Sequence, residues 1–247
     1  MSIVLVTGGT GTFGAKLVQV LRDGGHDVRV LSRRPGAGTH RGDLASGEGV
    51  AQALDGAELV VHAASDTRRL GRTDLVQTLR LLATARDVRH LLYVSIVGID
   101  AIPYAYYRKK LACEQAIEAS PVPHTIARAT QFHELVAMVF KAAGRLPAAP
   151  LPLDLPVQPV ASAEVAARMA ALLEAGPAGR APDFGGPQVL TVREAAETWQ
   201  QHRGRPGTLL NVRWPGRTYR ALRAGRHTCP DRADGRQTWA EYVSGLG

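Results

Sequence analysis

Tyr106 and Lys110 stand four residues apart in the run Tyr106-Tyr107-Arg108-Lys109-Lys110, a spacing that puts both side chains on one face of a helix. A free phenol, with a pKa of about 10, is a poor acid–base group near neutrality. A neighbouring ammonium favours the phenolate and draws the group toward the working range. Tyr104 and Tyr107 are nearby rivals, but Tyr107 is only three positions from Lys110, so the better spacing belongs to Tyr106. Ser95 closes an apolar run eleven residues before Tyr106, where its hydroxyl can hold a carbonyl while the phenol supplies a proton. A serine at a strand end is also a common turn cap, and Ile102-Pro103 between Ser95 and Tyr106 must shape a tight loop.

A proton donor of this kind needs a source of electrons, and the first residues supply a place for one. Thr7-Gly8-Gly9-Thr10-Gly11-Thr12-Phe13-Gly14 follows the β-rich run Ile3 to Val6 directly and opens a helix. Gly8, Gly11 and Gly14, three apart, permit a sharp turn, close approach of a pyrophosphate and tight helix–sheet packing. The N–H groups at the helix start then form a dipole-assisted anion site. An acid at the end of the second strand would bond the adenosine ribose and repel a 2′-phosphate. Ser32-Arg33-Arg34 stands there instead. Guanidinium pairs well with phosphate, so NADP(H) is expected over NAD, against the plainer reading that an Arg-rich chain places arginines anywhere.

The elements that must position these groups alternate. Strands are expected at Ile3 to Val6, Val28 to Leu31, His40 to Gly42, Glu58 to Ala63, Leu91 to Val94 and His124 to Ala127. Helices are expected at Ala15 to Arg22, Gly49 to Leu54, Asp74 to Arg86 and Ala105 to Ala119. Such alternation calls for right-handed crossovers and an α/β, Rossmann-type, doubly wound parallel sheet. After Thr130 the rhythm breaks. Leu146 to Pro159 holds five prolines and reads as an ordered loop, followed by helices near Ser162 to Ala175 and Val192 to Gln201 and a strand near Leu209 to Trp214. Residues 1–130 are therefore expected to be a dinucleotide-binding portion and 131–247 a small substrate-binding lobe packed on it.

Composition narrows the function classes. Of 247 residues, 45% are hydrophobic and 21% charged, as in an ordinary globular chain. No stretch approaches the roughly 18 apolar residues of a membrane span, and the opening residues read as a strand, not a secretory leader. Two cysteines without ligand-like neighbours argue against a disulfide framework or a structural metal; a reducing, cytoplasmic setting fits. The net charge of +8 brings no nucleic-acid motif with it, so a small-molecule partner is expected, with a monomer or homodimer.

With these residues in view, the chain resembles the atypical short-chain dehydrogenase/reductases, in particular the NmrA-like NAD(P)-binding group. The marks are the glycine turn, Gly42-Asp43-Leu44, His62-Ala63-Ala64-Ser65, Tyr93-Val94-Ser95-Ile96-Val97-Gly98, the Tyr106 to Lys110 run, and Arg128-Ala129-Thr130-Gln131-Phe132-His133. The resemblance implies that Asp43 and Leu44 approach the adenine, that Ala63, Ala64 and Ser65 pass the cofactor ribose, and that Ala129 and Thr130 pass the nicotinamide. It also implies that Lys110 bonds the nicotinamide ribose and that Gln131 and His133 begin the substrate pocket. The activity implied is NADPH-dependent reduction of a ketone, quinone or activated alkene by a Ser-Tyr-Lys set. Two alternatives stay open: a non-catalytic NADP sensor, and a non-redox epimerase or dehydratase.

Overall fold

The computed structural model describes residues 1–34, 36, 38–204 and 207–246. Its elements in chain order are β1 (Ile3–Thr7), α1 (Thr12–Asp23), β2 (Asp27–Ser32), β3 (Thr39–Arg41), α2 (Val50–Leu54), β4 (Leu59–His62), α3 (Asp74–Thr84), β5 (His90–Ile96), α4 (Ala105–Glu118) and β6 (His124–Ala129). There follow α5 (His133–Ala143), β7 (Ala148–Leu151), β8 (Pro156–Val157), α6 (Ser162–Ala175), β9 (Gly179–Arg180), β10 (Leu190–Thr191), α7 (Val192–Arg203), β11 (Thr208–Asn211), α8 (Arg217–Arg223) and α9 (Trp239–Ser244). No helix among the described residues is long and apolar enough to cross a membrane.

Seven strands form one parallel sheet in the order β3-β2-β1-β4-β5-β6-β9. The order reverses between β1 and β4, which pair from Val4↔Leu59 to Thr7↔His62. That switch point opens a crevice beyond the C-terminal strand ends, where doubly wound sheets bind ligands. The expected Rossmann-type sheet is therefore present, extended by the two-residue strand β9, too short to leave a sequence signal. Strands β1 and β4 are apolar and buried along almost their whole length, as strands covered on both faces must be.

By contacts the chain divides into two compact units. The first, Met1–Ser95 with Ala105–Arg128 and Ala166–Pro182, has a core in which Leu5, Val60, Leu91, Tyr93, Cys113, Ile117 and Ile126 meet. Cys113 is fully enclosed there. The second unit comprises Ile96–Tyr104, Ala129–Val165 and Asp183–Gly247. In its core Phe140, Leu151, Leu153, Ala195 and Trp239 pack together, with Trp199 stacked on Trp239 at 6.2 Å.

The proline-rich segment departs from the expected loop. It contains β7, parallel to β11 through Pro150↔Leu210, and β8, antiparallel to β10 through Pro156↔Thr191. Each is half of a two-stranded pair, so every strand is an edge and a proline's missing N–H deprives no second neighbour. Trp214 is 43% exposed and leans on Tyr219 at 4.7 Å, whereas Trp239 anchors the second unit's core.

Candidate active site

The glycine turn lies at the switch point. Gly8 has φ +75, and a Cβ on it would stand 2.7 Å from the Ala63 carbonyl and the Ala64 nitrogen. On Gly14 a Cβ would stand 2.1 Å from the Gly8 oxygen. These two positions are glycine because the polypeptide itself leaves no space. Gly11 differs: its nearest neighbour would be the Gly8 oxygen at 3.3 Å, and among the described residues beyond its own chain neighbours nothing else lies within 4 Å. Gly11 is also the N-cap of α1, with no side chain capping the helix. A bare helix start, open on the side where a Cβ would project, suits a close-lying phosphate. The residues present thus fit a dinucleotide.

At the end of β2, Ser32 Oγ accepts from the Arg34 N–H at 3.1 Å and fixes the turn that exposes Arg33 and Arg34. Neither arginine forms an ion pair among the described residues. Asp43 Oδ1 accepts from the Ala45 N–H at 2.8 Å, and Leu44 is buried beside it. The N–H groups of Ala63 and Ala64 bond Thr7, through its carbonyl at 3.1 Å and its hydroxyl at 3.4 Å, so the ends of β1 and β4 are tied together.

Past β4 the structure assembles a group that the sequence did not reveal. Ser65 Oγ lies 2.9 Å from the Tyr106 hydroxyl and donates to Asp74 Oδ2 at 2.6 Å. A serine has one hydrogen; with that hydrogen on Asp74, Tyr106 must be the donor to Ser65. Asp74 is 2% exposed and takes a second bond from the Asp66 N–H at 2.7 Å. Lys110, one turn beyond Tyr106, donates to the Val94 carbonyl at 2.8 Å, and its ammonium lies 4.1 Å from the Tyr93 ring centroid. Burial pushes its pKa down to about 8, opposed by the nearby Cys113, Asp74 and Glu114.

His62 fills the space below. Thr78 gives its hydrogen to the Asp74 carbonyl at 2.9 Å, so it must accept from His62 Nε2 at 3.0 Å. Nδ1 is then the acceptor from Thr7 Oγ1 at 2.7 Å, which assigns a neutral Nε2–H tautomer. Burial, and then the Lys110 charge, press the His62 pKa down to about 3.

Ser95, the expected carbonyl holder, is 4% exposed and donates to Glu114 Oε1 at 2.5 Å. Glu114, fully buried, takes a two-pronged contact from Arg128, Nε at 2.9 Å and Nη2 at 2.6 Å, and one from Arg180 at 3.0 Å. Burial would raise this carboxyl, but the bonds from Arg128 and Ser95 and the arginine charges outweigh it and hold the pKa low. The Ser95 hydrogen is thereby engaged inside the unit. Glu114 had a legible signal: Tyr106, Lys110 and Glu114 recur every four residues. Asp74 had only a weak one, an acid in the first turn of a helix.

The remaining expected site residues lie in the second unit. Ala129 ends β6, and Thr130 bonds Phe184 through its N–H at 3.1 Å. Gln131 donates to the His227 carbonyl at 2.8 Å and accepts from the Gln158 N–H at 3.1 Å. His133 is fully enclosed at the start of α5, its ring 4.7 Å from that of Tyr242, and burial lowers its pKa.

A family profile described as NAD(P)H-binding matches residues 8–175, from the glycine turn that follows β1 to the end of α6. The chain belongs to that NAD(P)H-binding family. The motifs quoted above pointed to the same NAD(P)-binding group. Over 218 residues the chain is 33% identical to a (4-alkanoyl-5-oxo-2,5-dihydrofuran-3-yl)methyl phosphate reductase from Streptomyces griseus subsp. griseus, covering 83% of this chain and 75% of that protein. Among solved structures it is similar to an NADPH-dependent quinone oxidoreductase from Escherichia coli complexed with NADPH, at a TM-score of 0.84 and 19% identity over 98% and 99% of the two chains. A Citrobacter sp. triphenylmethane reductase complexed with NADP(H) aligns at a TM-score of 0.78 and 19% identity, over 100% and 99%. At such identity these structures speak for the fold; the profile and the Streptomyces relative speak for an NAD(P)H-binding, reductase-like family.

Proposed function

We propose that this protein is an NADPH-dependent reductase of the short-chain dehydrogenase/reductase type, acting on a small molecule whose carbonyl or carbonyl-conjugated double bond accepts a hydride. The observation that carries the proposal is the Tyr106 hydroxyl, fixed by Ser65 next to the crevice-facing end of β4, with Lys110 one turn behind it. The relative's name supports the substrate class, because a 5-oxo-2,5-dihydrofuran is an unsaturated lactone, an activated alkene.

Under this reading the turn from Thr7 to Gly14 holds the pyrophosphate, Arg33 and Arg34 hold the 2′-phosphate, and Ala63, Ala64 and Ser65 flank the ribose. The bound dinucleotide supplies hydride. Tyr106 supplies the proton that completes the reduction, and the charge of Lys110 favours the phenolate left behind. Ser95 acts at one remove: bonded to Glu114, it locks the end of β5 against α4, the helix that carries both groups.

The test is NADPH consumption against a panel of quinones, ketones and unsaturated γ-lactones, with wild type and Tyr106→Phe. Wild type should oxidise NADPH with at least one lactone or quinone, and the variant should lose about 10²-fold or more in kcat while binding NADPH normally. Absence of turnover across the panel, with intact NADPH binding, overturns the reading in favour of a nucleotide sensor. Product formation without loss of nicotinamide absorbance overturns it in favour of epimerase or dehydratase chemistry.

A further inference from the structure

Tyr106, Ser65 and Asp74 come from three separate segments, the start of α4, the loop after β4 and the first turn of α3, and converge in one line of hydrogen bonds. The phenol donates to Ser65 at 2.9 Å and Ser65 to Asp74 at 2.6 Å. The packing is shaped for that convergence. Gly71 has φ +71, and a Cβ there would stand 3.1 Å from Tyr106 Cδ2 and 3.2 Å from Asp74 Oδ2, so a side chain would wedge the ring off the carboxylate. Leu70 beside it holds φ +51, a left-handed conformation unusual for a non-glycine residue, in the turn that brings Gly71 into place.

Resting on the reductase reading above, we propose that Ser65 and Asp74 are the inner end of the tyrosine's proton path. In the oxidising direction the hydrogens already stand as the path needs them: as the substrate O–H bond breaks and its proton bonds to the Tyr106 oxygen, the Tyr106 hydrogen passes to Ser65 and the Ser65 hydrogen to the Asp74 carboxylate. Reduction runs each transfer backwards, the proton held by Asp74 returning through Ser65 to Tyr106 as the Tyr106 proton bonds to the substrate. The net change along the path is one proton exchanged between Asp74 and substrate. Ser65 and Asp74 act through Tyr106 and are positioning residues. The titratable groups facing Asp74 are Tyr106, Lys110 and Cys113 of α4, Tyr93 of β5 and, through Thr78, His62 of β4.

Two measurements test the path. The first needs no turnover: the Tyr106 phenol is titrated by ultraviolet difference between each protein and its own Tyr106→Phe counterpart, without cofactor. Removing the Asp74 charge in Asp74→Asn should raise the acid dissociation constant of Tyr106 about tenfold, because a carboxylate one serine away disfavours the phenolate. The second is kinetic, on the lactone or quinone reduced fastest. Ser65→Ala should cut kcat at least about tenfold, flatten its pH dependence and turn a curved proton inventory linear, while Ser65→Thr restores all three. An unmoved Tyr106 titration in folded Asp74→Asn overturns the path. So does a wild-type pH profile in Ser65→Ala while Tyr106→Phe is inactive, a result that leaves the reductase assignment standing. Full activity in Tyr106→Phe removes the assignment itself.

Discussion

Gly11 and Gly14 look equivalent in the sequence, yet replacing each with alanine should do different things. At Gly14 the new methyl would lie 2.1 Å from the Gly8 oxygen and 2.8 Å from the Gly9 Cα, both backbone atoms. Neither can move without opening the turn, so Gly14→Ala should fail to fold or should lose upward of about 3 kcal/mol, as severe overpacking does. At Gly11 the methyl would meet only the Gly8 oxygen at 3.3 Å, which a shift of a few tenths of an ångström relieves. The backbone there, φ −79 and ψ 168, is open to any residue. Alanine is a poorer N-cap than glycine by about 1 kcal/mol, partly offset by about 0.4–1 kcal/mol from a stiffer unfolded chain. Gly11→Ala should therefore shift Tm by no more than about 2–4 °C. Its methyl projects where the pyrophosphate is proposed to lie, so NADPH affinity should fall at least about tenfold, a loss of about 1.4 kcal/mol. Thermal melts and fluorescence titration with NADPH read both quantities on the same samples. A Gly11→Ala protein that binds NADPH as wild type does would refute the assignment of this turn to the cofactor.

Three further outcomes are expected. Arg33→Ala should weaken NADPH binding about 10–100-fold, the value of one or two charge-assisted bonds to phosphate, and leave NADH binding unchanged; equal losses for both would contradict the role. His62 binds a proton in the unfolded chain near pH 6.5 but in the fold only near pH 3, so its contribution to stability is complete above 6.5 and is lost as pH falls toward 3. Its share of that loss between pH 7 and 5 is about 2 kcal/mol, so urea titrations should show His62→Gln losing about that much less than wild type over this interval. Glu114→Gln removes the full charge that Arg128, with a 7% exposed side chain, is paired with and should cost about 3–5 kcal/mol. Arg180, 41% exposed, can turn to water, so Arg180→Ala should cost far less in the same melts.

What the chain declares linearly is what depends on neighbours in sequence. The run Ile3 to Val6, the glycines at three-residue intervals and the four-residue step from Tyr106 to Lys110 each set a local geometry, and the strand–helix alternation calls for a parallel sheet with right-handed crossovers. These features set the strand, turn and helix around the glycines and the helix that carries the phenol. The proline-rich segment misled because pairing decides there: a proline excludes itself from a central strand, but only the fold makes β7 and β8 edges.

The tertiary structure alone decided where each polar hydrogen goes. Ser65 and Asp74, nine residues apart, and Tyr106, forty-one from Ser65, meet only because β4, α3 and α4 are packed side by side. Ser95, promising as a strand-end hydroxyl, gives its hydrogen to Glu114 because β5 turns that side chain toward α4. A side chain's type and spacing state what it can donate or accept; burial and distance select the partner. That selection is a property of segments distant in the chain, and no local pattern encodes it.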